Sequence, residues 1–218
     1  GAGWDRHFER FSFTPLAAAS IGQVHAAQLK SGERLAIKVQ YPGVRQSIAS
    51  DVDNVATLLR VSGLLPRTLD FAPLLEEAKR QLHDEADYLK EAAYLEAYRG
   101  RLADHGDFAL PTVHRALTTP DILAMGFVDG VPIESLDTAP QAERDRVLGL
   151  LFELLFREIF EFRCVQTDPN FANYRYDEAS GQVVLLDFGA TRHFSAGCIA
   201  AYRRLLRAGQ LGDLDGLS

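Results

Sequence analysis

The sequence predicts a mixed α+β protein built from two lobes, and three features of the chain carry this prediction. The first 40 residues have the alternation and turns of β-strands, and a long acidic helix is expected after them. A connector around Asp129-Gly130 then separates this part from a helix, a polar loop and a second hairpin. We therefore expect a β-rich N-terminal lobe over residues 1–128, a helical, partial C-terminal lobe over residues 129–218, and a cleft at the connector.

The composition excludes several other classes of protein. Charged residues make up 24% and hydrophobic residues 47% of the 218 residues, which is typical of a folded globular chain. The net charge of −7 argues against nucleic-acid binding, because phosphate-binding surfaces need a surplus of Lys and Arg. The two cysteines have no Cys-x-x-Cys spacing, which excludes a zinc ribbon, and the longest apolar stretch is interrupted by charges and too short to cross a bilayer.

Two strands joined by a tight turn are expected early in the chain. Residues 24–29 and 34–40 have the pattern of strands and flank the turn sequence Lys30-Ser-Gly-Glu33. The run of small residues Leu16-Ala-Ala-Ala-Ser-Ile-Gly-Gln23 precedes them and predicts a close-packed loop. Lys38 falls among apolar residues on the second strand, where a buried ammonium needs an anionic partner. An exposed lysine on an edge strand is the alternative at this point.

Helical periodicity follows this hairpin. Apolar residues recur at helical spacing over about 48–59, 72–99 and 141–162. The second of these stretches is dense in carboxylates, which predicts one long helix with a solvated acidic face. Short strands are expected at 111–114 and 121–127, between the last two helices.

The last third of the chain carries the most chemical information. Asp168 and Asn173 frame a polar loop, and after a predicted hairpin Asp187 ends an apolar strand as Asp-Phe-Gly. This order is the layout of a kinase-like site for phosphoryl transfer. Asp187 supplies a carboxylate and Asn173 an amide oxygen, which are ligands that Mg²⁺ prefers, and Asp168 is placed to orient or deprotonate a nucleophile. Each motif alone fits an ordinary turn, but their combination favours a kinase-like fold with a nucleotide site.

Lys38 fits the same site. Kinases place a lysine that binds the α- and β-phosphates on a strand after the nucleotide loop, and its partner is a glutamate on the next long helix, for which we predict Glu91. The loop differs from the glycine-rich form of ordinary kinases, because Ala17-Ala-Ala-Ser-Ile-Gly22 keeps one glycine. Since alanine does not reach positive φ cheaply, we expect a stiffer loop that sits differently over the phosphates.

These motifs resemble those of the UbiB-type atypical kinases, also called the aarF-domain family, over nearly the whole chain. The resemblance rests on the following segments: Leu16-Ala-Ala-Ala-Ser-Ile-Gly-Gln-Val-His25, Ala36-Ile-Lys-Val-Gln-Tyr-Pro-Gly43, Glu85-Ala-Asp-Tyr-x-x-Glu-Ala92, Gln166-Thr-Asp-Pro-Asn-Phe-Ala-Asn173 and Leu185-Leu-Asp-Phe-Gly-Ala-Thr-Arg192. Ordinary kinases have neither the alanine-rich loop nor the Glu-x-Asp helix. The Gln-Thr-Asp-Pro form is similar to the branch that contains the mitochondrial coenzyme Q biosynthesis kinases and related bacterial proteins.

The resemblance implies a role for each matched residue. Lys38 and Glu91 become the phosphate-binding lysine and its partner, and Asp168 the catalytic-loop aspartate. The implied metal ligands are Asn173 and Asp187, and the family's Glu-x-Asp motif is formed by Glu85 and Asp87. The implied nucleotide-binding set lies on the alanine-rich loop, the lysine strand and the connector, and comprises Ala17, Ala18, Ala19, Ser20, Gly22, Lys38, Met125 and Val128.

The same resemblance implies cofactors, partners and a location. ATP or ADP with Mg²⁺ is expected, in support of ubiquinone or other isoprenoid-lipid metabolism. The implied partners are proteins of quinone biosynthesis or a lipid or phenolic ligand, without nucleic acid. Membrane contact is expected through segments outside this chain, in the cytoplasm of a bacterium or on the matrix side of a mitochondrion. None of the four lysines lies in the family's N-terminal Lys-x-Gly-Gln motif, so we interpret the chain as starting after that motif.

Three functional hypotheses stay open. An active Mg²⁺-dependent kinase or ATPase accounts for the intact Asp168, Asn173 and Asp187. A catalytically weak pseudokinase, acting as a nucleotide-regulated scaffold, accounts for the altered loop. A phosphotransferase of the aminoglycoside or choline type shares the Asp-x4-Asn loop, but it leaves the alanine-rich loop and the Glu-x-Asp motif unexplained.

Overall fold

A computed structural model describes residues 3–62 and 71–211 and divides the chain into two compact units. The first unit consists of Gly1–Leu102, Leu110–Asp129 and Leu185–Ala190, and the remaining segments form the second. The Asp187-Phe-Gly segment therefore belongs to the unit that contains the N-terminal strands, although it follows them by almost 150 residues in sequence. The predicted assignment of lobes to residues 1–128 and 129–218 stays a prediction.

The described part of the chain begins with three strands and three α-helices and continues with shorter strands and two further α-helices. In chain order these elements are β1 (Phe8–Ala19), β2 (Gly22–Leu29), β3 (Arg34–Gln40), α1 (Val44–Ser62), α2 (Ala72–Glu85), α3 (Tyr88–Arg101), β4 (Phe108–Ala109), β5 (Ile122–Gly126), β6 (Val131–Pro132), α4 (Gln141–Arg157), β7 (Cys164–Gln166), β8 (Tyr174–Asp177), β9 (Gln182–Leu185), β10 (Thr191–His193) and α5 (Ala196–Leu211). Among the described residues, none of these helices has the length and hydropathy needed to cross a membrane.

The first unit is built on an antiparallel sheet with the strand order β1-β2-β3-β5. Its core on this sheet consists of small and aliphatic side chains, namely Ala27, Leu29, Leu35, Ile37 and Ala124. The predicted hairpin of β2 and β3 is confirmed. Because β3 lies between β2 and β5, Lys38 is paired with Val24 on one side and Leu123 on the other. The alternative of an edge-strand lysine is therefore wrong.

The alanine-rich segment is a strand, and this corrects the predicted loop. Ala17, Ala18 and Ala19 belong to β1 and pair with β2, so that the turn itself contains only Ser20 and Ile21. Alanine suits such a position because it packs closely and needs no positive φ. The sequence pattern of small residues therefore reflects close strand pairing.

Gly22 is required by the neighbouring strand. It opens β2 and pairs with Gln40 of β3. A Cβ atom at this position would lie 2.2 Å from the carbonyl oxygen of Val39, a distance that real side chains do not tolerate. The glycine thus permits the close approach of two backbones.

The predicted single helix over 72–99 is two helices, α2 and α3, and Asp87 separates them. The Asp87 carboxylate accepts hydrogen bonds from the backbone N–H groups of Leu89 and Lys90, which caps the first turn of α3. The side-chain amide of the buried Gln40 donates to the carbonyl oxygen of Ala86, 2.7 Å away, and fixes the break against β3. A continuous apolar stripe cannot reveal this break, because it arises from a side chain that competes with the helical backbone.

The second unit contains a sheet with the order β4-β9-β8-β6 and a separate antiparallel pair of β7 and β10. The helix predicted over 141–162 ends as α4 at Arg157 and continues as the π-helical turn Glu158–Phe162.

In the first unit, the strand predicted at 111–114 is reduced to an isolated bridge between Val113 and Met125. Pro111 contributes to this, because it has no N–H group to donate to a neighbouring strand.

Replacing Gly22 by alanine should destabilise the first unit. The added methyl group has to displace the backbone of β3, so we expect the free energy of unfolding to fall by about 2 kcal/mol or more. Gly100, near the end of α3, is the matched control, since a Cβ atom there meets no atom within 4 Å. Urea denaturation should show Gly100→Ala equal to the wild type or more stable by about 0.5–1 kcal/mol. Equal midpoints for the two variants would contradict this account.

Candidate active site

The Lys38 ammonium lies at the centre of a buried charged cluster in the first unit. Its nitrogen donates to both carboxylate oxygens of Glu91, at 2.9 and 3.0 Å, and to Oδ2 of Asp187, at 2.9 Å. A lysine ammonium has three N–H donors, so these bonds engage all of them. The structure thus contains the Lys38–Glu91 pairing that the sequence predicted and adds Asp187 to it.

Local structure places each member of this cluster. The Asp87 cap starts α3 so that Glu91 falls one turn inside it, where its carboxylate also faces the backbone N–H of Phe188 at 3.5 Å. The Phe188 ring is buried and packs against the Tyr98 ring of α3, with 4.8 Å between the ring centroids. Asp187 is oriented by the N–H of Gly189, which donates to its Oδ1 at 2.9 Å.

The cluster holds one positive and two negative charges. Burial raises the pKa of Glu91 to about 7, although the Lys38 ammonium acts in the opposite direction. Burial would also raise the pKa of Asp187, but the Lys38 ammonium and the Gly189 N–H lower it below its ordinary value. For Lys38, the two carboxylates outweigh burial and raise the pKa. With both carboxylates ionised, the cluster has a formal charge of −1, which favours the uptake of a proton or a cation.

Glu85 connects the β1–β2 turn to this cluster. Its carboxylate accepts a hydrogen bond from the Ser20 hydroxyl in the turn. Its Cγ atom and the Glu91 carboxylate lie beside Gly189, where a Cβ atom would be 3.7 Å from the former and 3.5 Å from Oε2 of the latter. Glu85 and Glu91 therefore both reach the Asp-Phe-Gly segment, while Asp87 of the same motif caps a helix.

The loop with Asp168 and Asn173 belongs to the second unit. The side-chain amide of Asn173 donates to Oδ2 of Asp168 at 3.0 Å and to its carbonyl oxygen at 3.2 Å. The Asn170 side chain accepts from the N–H of Ala172 and shapes the following turn. Because the nitrogen of the Asn173 amide makes both contacts, its oxygen is the acceptor atom of this side chain. The predicted grouping of Asp168 and Asn173 with Asp187 stays a prediction.

The remaining predicted nucleotide contacts occupy two places in the first unit. Ala17 and Ala18 are exposed on β1 and Ala19 is half-buried beside the turn. Met125 is buried within β5 and pairs with Ala36 of the neighbouring strand β3. Val128 follows the end of β5. Their contacts with a nucleotide stay predictions.

The two predicted metal ligands are of residue types that are compatible with magnesium. Mg²⁺ in nucleotide sites takes one or two protein oxygens and completes its shell with phosphate oxygens and water. Asp187 contributes a carboxylate from a cluster with excess negative charge, and Asn173 has an amide oxygen held by the contacts of its nitrogen. Within residues 3–62 and 71–211, His, Cys, Asp and Glu side chains form no group of three or more that is arranged to hold a metal ion.

Sequence reasoning gave no role to Tyr88. This residue is completely buried, and its ring centroid lies 5.2 Å from the Lys38 nitrogen. Its position three residues before Glu91 was the available signal, because residues at i and i+3 lie on the same face of a helix. The same reasoning missed Ser20 as the partner of Glu85.

Comparison with known protein families identifies the family of this chain. A family model described as the ABC1 atypical kinase-like domain matches residues 1–217. The chain belongs to this family. Among its relatives are the mitochondrial atypical kinase COQ8 of Saccharomyces cerevisiae, 41% identical over 216 residues, and the mitochondrial atypical kinase COQ8B of Rattus norvegicus, 41% identical over 215 residues. The alignments cover 99% of this chain but 43% and 41% of these proteins, so the chain spans less than half of their length.

Solved structures agree with a kinase-like α+β fold, which confirms the predicted fold class. The complex of Rv3197 with erythromycin from Mycobacterium tuberculosis matches with a TM-score of 0.79 and 27% identity, over 100% of this chain and 55% of that chain. The Rio2 kinase–ADP/Mg²⁺–phosphoaspartate complex from Chaetomium thermophilum matches with a TM-score of 0.53 and 13% identity, over 94% and 58%. The second likeness concerns the fold alone.

Replacing Glu91 by glutamine should change the pH dependence of stability. The pKa of the carboxyl is near 4.5 in the unfolded chain and about 7 in the folded one, so between these values the folded protein retains a proton that the unfolded chain loses. The contribution of Glu91 to stability is therefore full below pH 4.5 and is lost as the pH rises through 7, by up to about 3 kcal/mol.

Urea denaturation of the wild type and Glu91→Gln at several values between about pH 5 and about pH 8 measures this effect. We expect the wild type to lose stability relative to the variant across the range. The difference between the free energies of unfolding of the two proteins also reflects the lost ion pair. The slope of the free energy of unfolding against pH is therefore the informative quantity. Parallel pH curves would show that Glu91 does not titrate in this window.

Proposed function

We propose that this chain forms the nucleotide-binding, Mg²⁺-dependent part of an atypical kinase or ATPase. The observation that carries the proposal is the buried contact of Lys38 with both Glu91 and Asp187. A strand lysine, a helix glutamate and the aspartate of Asp-Phe-Gly are the parts that kinase-like sites use to bind phosphates and metal. Membership of an atypical kinase-like family supports the same proposal.

Each polar residue of the site has a proposed task. Lys38 binds phosphate oxygens, and Glu91 keeps the ammonium at the position from which it does so. Asp187 and Asn173 hold Mg²⁺, which neutralises the negative charge of the phosphates when it is bound. Asp168 accepts the proton of the attacking hydroxyl group or water, or orients it, and its hydrogen bond with Asn173 fixes its direction.

The three bonds of Lys38 impose an order on binding. Because all its N–H groups point to carboxylates, at least one has to leave a carboxylate before the ammonium can bind a phosphate oxygen. Asp187 is the partner we expect to be released, since it has its own proposed task toward Mg²⁺. Nucleotide affinity should therefore depend on Mg²⁺ more strongly than simple charge neutralisation requires.

The proposed biological setting is the support of ubiquinone or related isoprenoid-lipid biosynthesis. The names of the curated relatives place them in mitochondria. The similarity of the Gln-Thr-Asp-Pro form to the branch of the coenzyme Q biosynthesis kinases supports this setting for the chain. For this chain we propose the matrix side of the mitochondrion in a eukaryote or the cytoplasmic side of the membrane in a bacterium. Proteins of quinone biosynthesis and a lipid or phenolic compound are the proposed partners.

A second candidate function is a nucleotide-regulated scaffold with weak or no catalysis. Two observations favour it, namely the full engagement of the Lys38 donors by carboxylates and the tethering of the β1–β2 turn to Glu85 through Ser20. Such contacts oppose the movements that phosphoryl transfer needs. The proposals share nucleotide binding and differ in turnover.

Replacing Asp187 by asparagine should abolish Mg²⁺-dependent ATP turnover while the fold survives. The amide retains the size of the side chain but removes the charge that faces the metal and Lys38, so we expect a loss of about 100-fold or more. Asp51→Asn, an exposed change on α1, is the matched control and should leave turnover unchanged. Phosphate release and thermal denaturation of the three proteins measure this, and equal turnover in Asp187→Asn and wild type would refute the metal role.

Replacing Asp168 by alanine should separate the two candidate functions. Under the enzyme proposal, ATP turnover falls by about 100-fold because proton transfer is lost. The dissociation constant for ADP with Mg²⁺ changes far less, because Asn173 keeps its hydrogen bond to the backbone carbonyl at position 168. Under the scaffold proposal, the wild type has no turnover above the background that Asp168→Ala also shows. Purified protein that binds neither ADP nor ATP in calorimetry would exclude both.

A further inference from the structure

Tyr88 shares a buried ammonium with two carboxylates. It is the first residue of α3 and has no exposed surface. The nitrogen of Lys38 lies 5.2 Å from its ring centroid, and within about 6 Å a cation is attracted to the face of an aromatic ring. The ring is therefore the uncharged part of the surroundings that hold Lys38.

The hydroxyl group of Tyr88 contributes little to this arrangement. Its oxygen is buried and has no hydrogen-bond partner among the residues that the structure describes. Burial raises the pKa of Tyr88 above its ordinary value, so the group remains uncharged. An unsatisfied buried hydroxyl opposes folding, so the contact of Tyr88 with the cluster is made by its ring.

The Tyr88 ring and the two carboxylates attract the Lys38 ammonium in different ways. Glu91 and Asp187 hold Lys38 through directed N–H bonds, and each such bond has to break before that donor can reach another acceptor. A ring face attracts the whole ammonium charge and occupies no N–H donor. It can therefore keep the ammonium in place while individual donors change partners.

We propose that Tyr88 is a positioning residue whose ring face holds the Lys38 ammonium in place while its N–H donors are exchanged. The holding of the ammonium depends only on the observed geometry. The exchange toward phosphate oxygens rests on the proposed nucleotide function. The two parts are tested by separate measurements below.

The first measurement is the rate at which acetic anhydride modifies Lys38 without nucleotide, read by peptide mass spectrometry. Loss of the ring in Tyr88→Leu should speed modification about fivefold, because an ammonium that is held less firmly leaves its buried position more often and then meets the reagent. Tyr88→Phe keeps the ring and should match the wild type. Leu102→Ala removes buried volume at the other end of α3 and controls for a loosened core. The exposed Lys30 serves as the internal standard.

If Tyr88→Leu fails to fold, fluorinated phenylalanine at position 88 provides a second test. Added fluorine atoms weaken the negative ring face and hardly change its shape, so the modification rate of Lys38 should rise with their number. A rate that is independent of fluorination, or Tyr88→Leu behaving like Leu102→Ala, would overturn the proposal.

The second measurement is the affinity for ADP with Mg²⁺ by calorimetry. We expect Tyr88→Leu to weaken binding about tenfold and Tyr88→Phe to bind like the wild type. Equal binding by all three proteins would overturn the exchange part of the proposal. A wild type that binds no nucleotide would count against the proposed function instead, and the labelling rates would still decide the role of the ring.

Discussion

The first unit depends on one constraint: a lysine ammonium on a central strand has to be buried. An unpaired buried cation is far too costly, so the strand, the N-terminal turn of α3 and the Asp-Phe-Gly segment are brought together around it. Lys38 is separated from Glu91 by 53 residues and from Asp187 by 149 residues, and both carboxylates bond to it. The Asp87 cap and the packing of Phe188 on Tyr98 orient these two carboxylates toward the ammonium.

The constraint also explains why the cluster is suited to chemistry. Burial raises the pKa of Glu91, and the neighbouring Asp187 carboxylate adds to this. One ammonium between two carboxylates also leaves an excess negative charge in a buried place, which attracts cations. Every N–H of the ammonium is engaged, so a phosphate can bind only by exchange. The charges of the cluster are thus paired without a ligand, and under the proposed function a cation at Asp187 releases one N–H donor of Lys38. This is the physical basis on which membership of an atypical kinase-like family becomes a proposal about activity.

Much of this could be predicted because the signals are local. Alternation and a Ser-Gly turn indicated the β2–β3 hairpin, and the apolar surroundings of Lys38 indicated that it needs a partner. The choice of Glu91 came from the kinase-like layout of the motifs. The failures come from interactions that periodicity does not report. The helix break arises from one carboxylate, Asp87, that competes for backbone N–H groups. The requirement for Gly22 arises from the Val39 carbonyl, which reaches it only through the sheet. Tyr88 was overlooked because an aromatic residue in a helix is usually core.

A double-mutant cycle between Lys38 and Glu91 tests the central claim most directly. The free energies of unfolding of the wild type, Lys38→Met, Glu91→Gln and the double variant give the coupling energy of the pair. If the buried ammonium organises the unit, Lys38→Met leaves the buried Glu91 carboxylate without its cation, and Glu91→Gln leaves the ammonium with Asp187 alone as its charged partner in the cluster. We therefore expect a coupling of about 2 kcal/mol or more. Single effects that add to within about 0.5 kcal/mol would contradict the account.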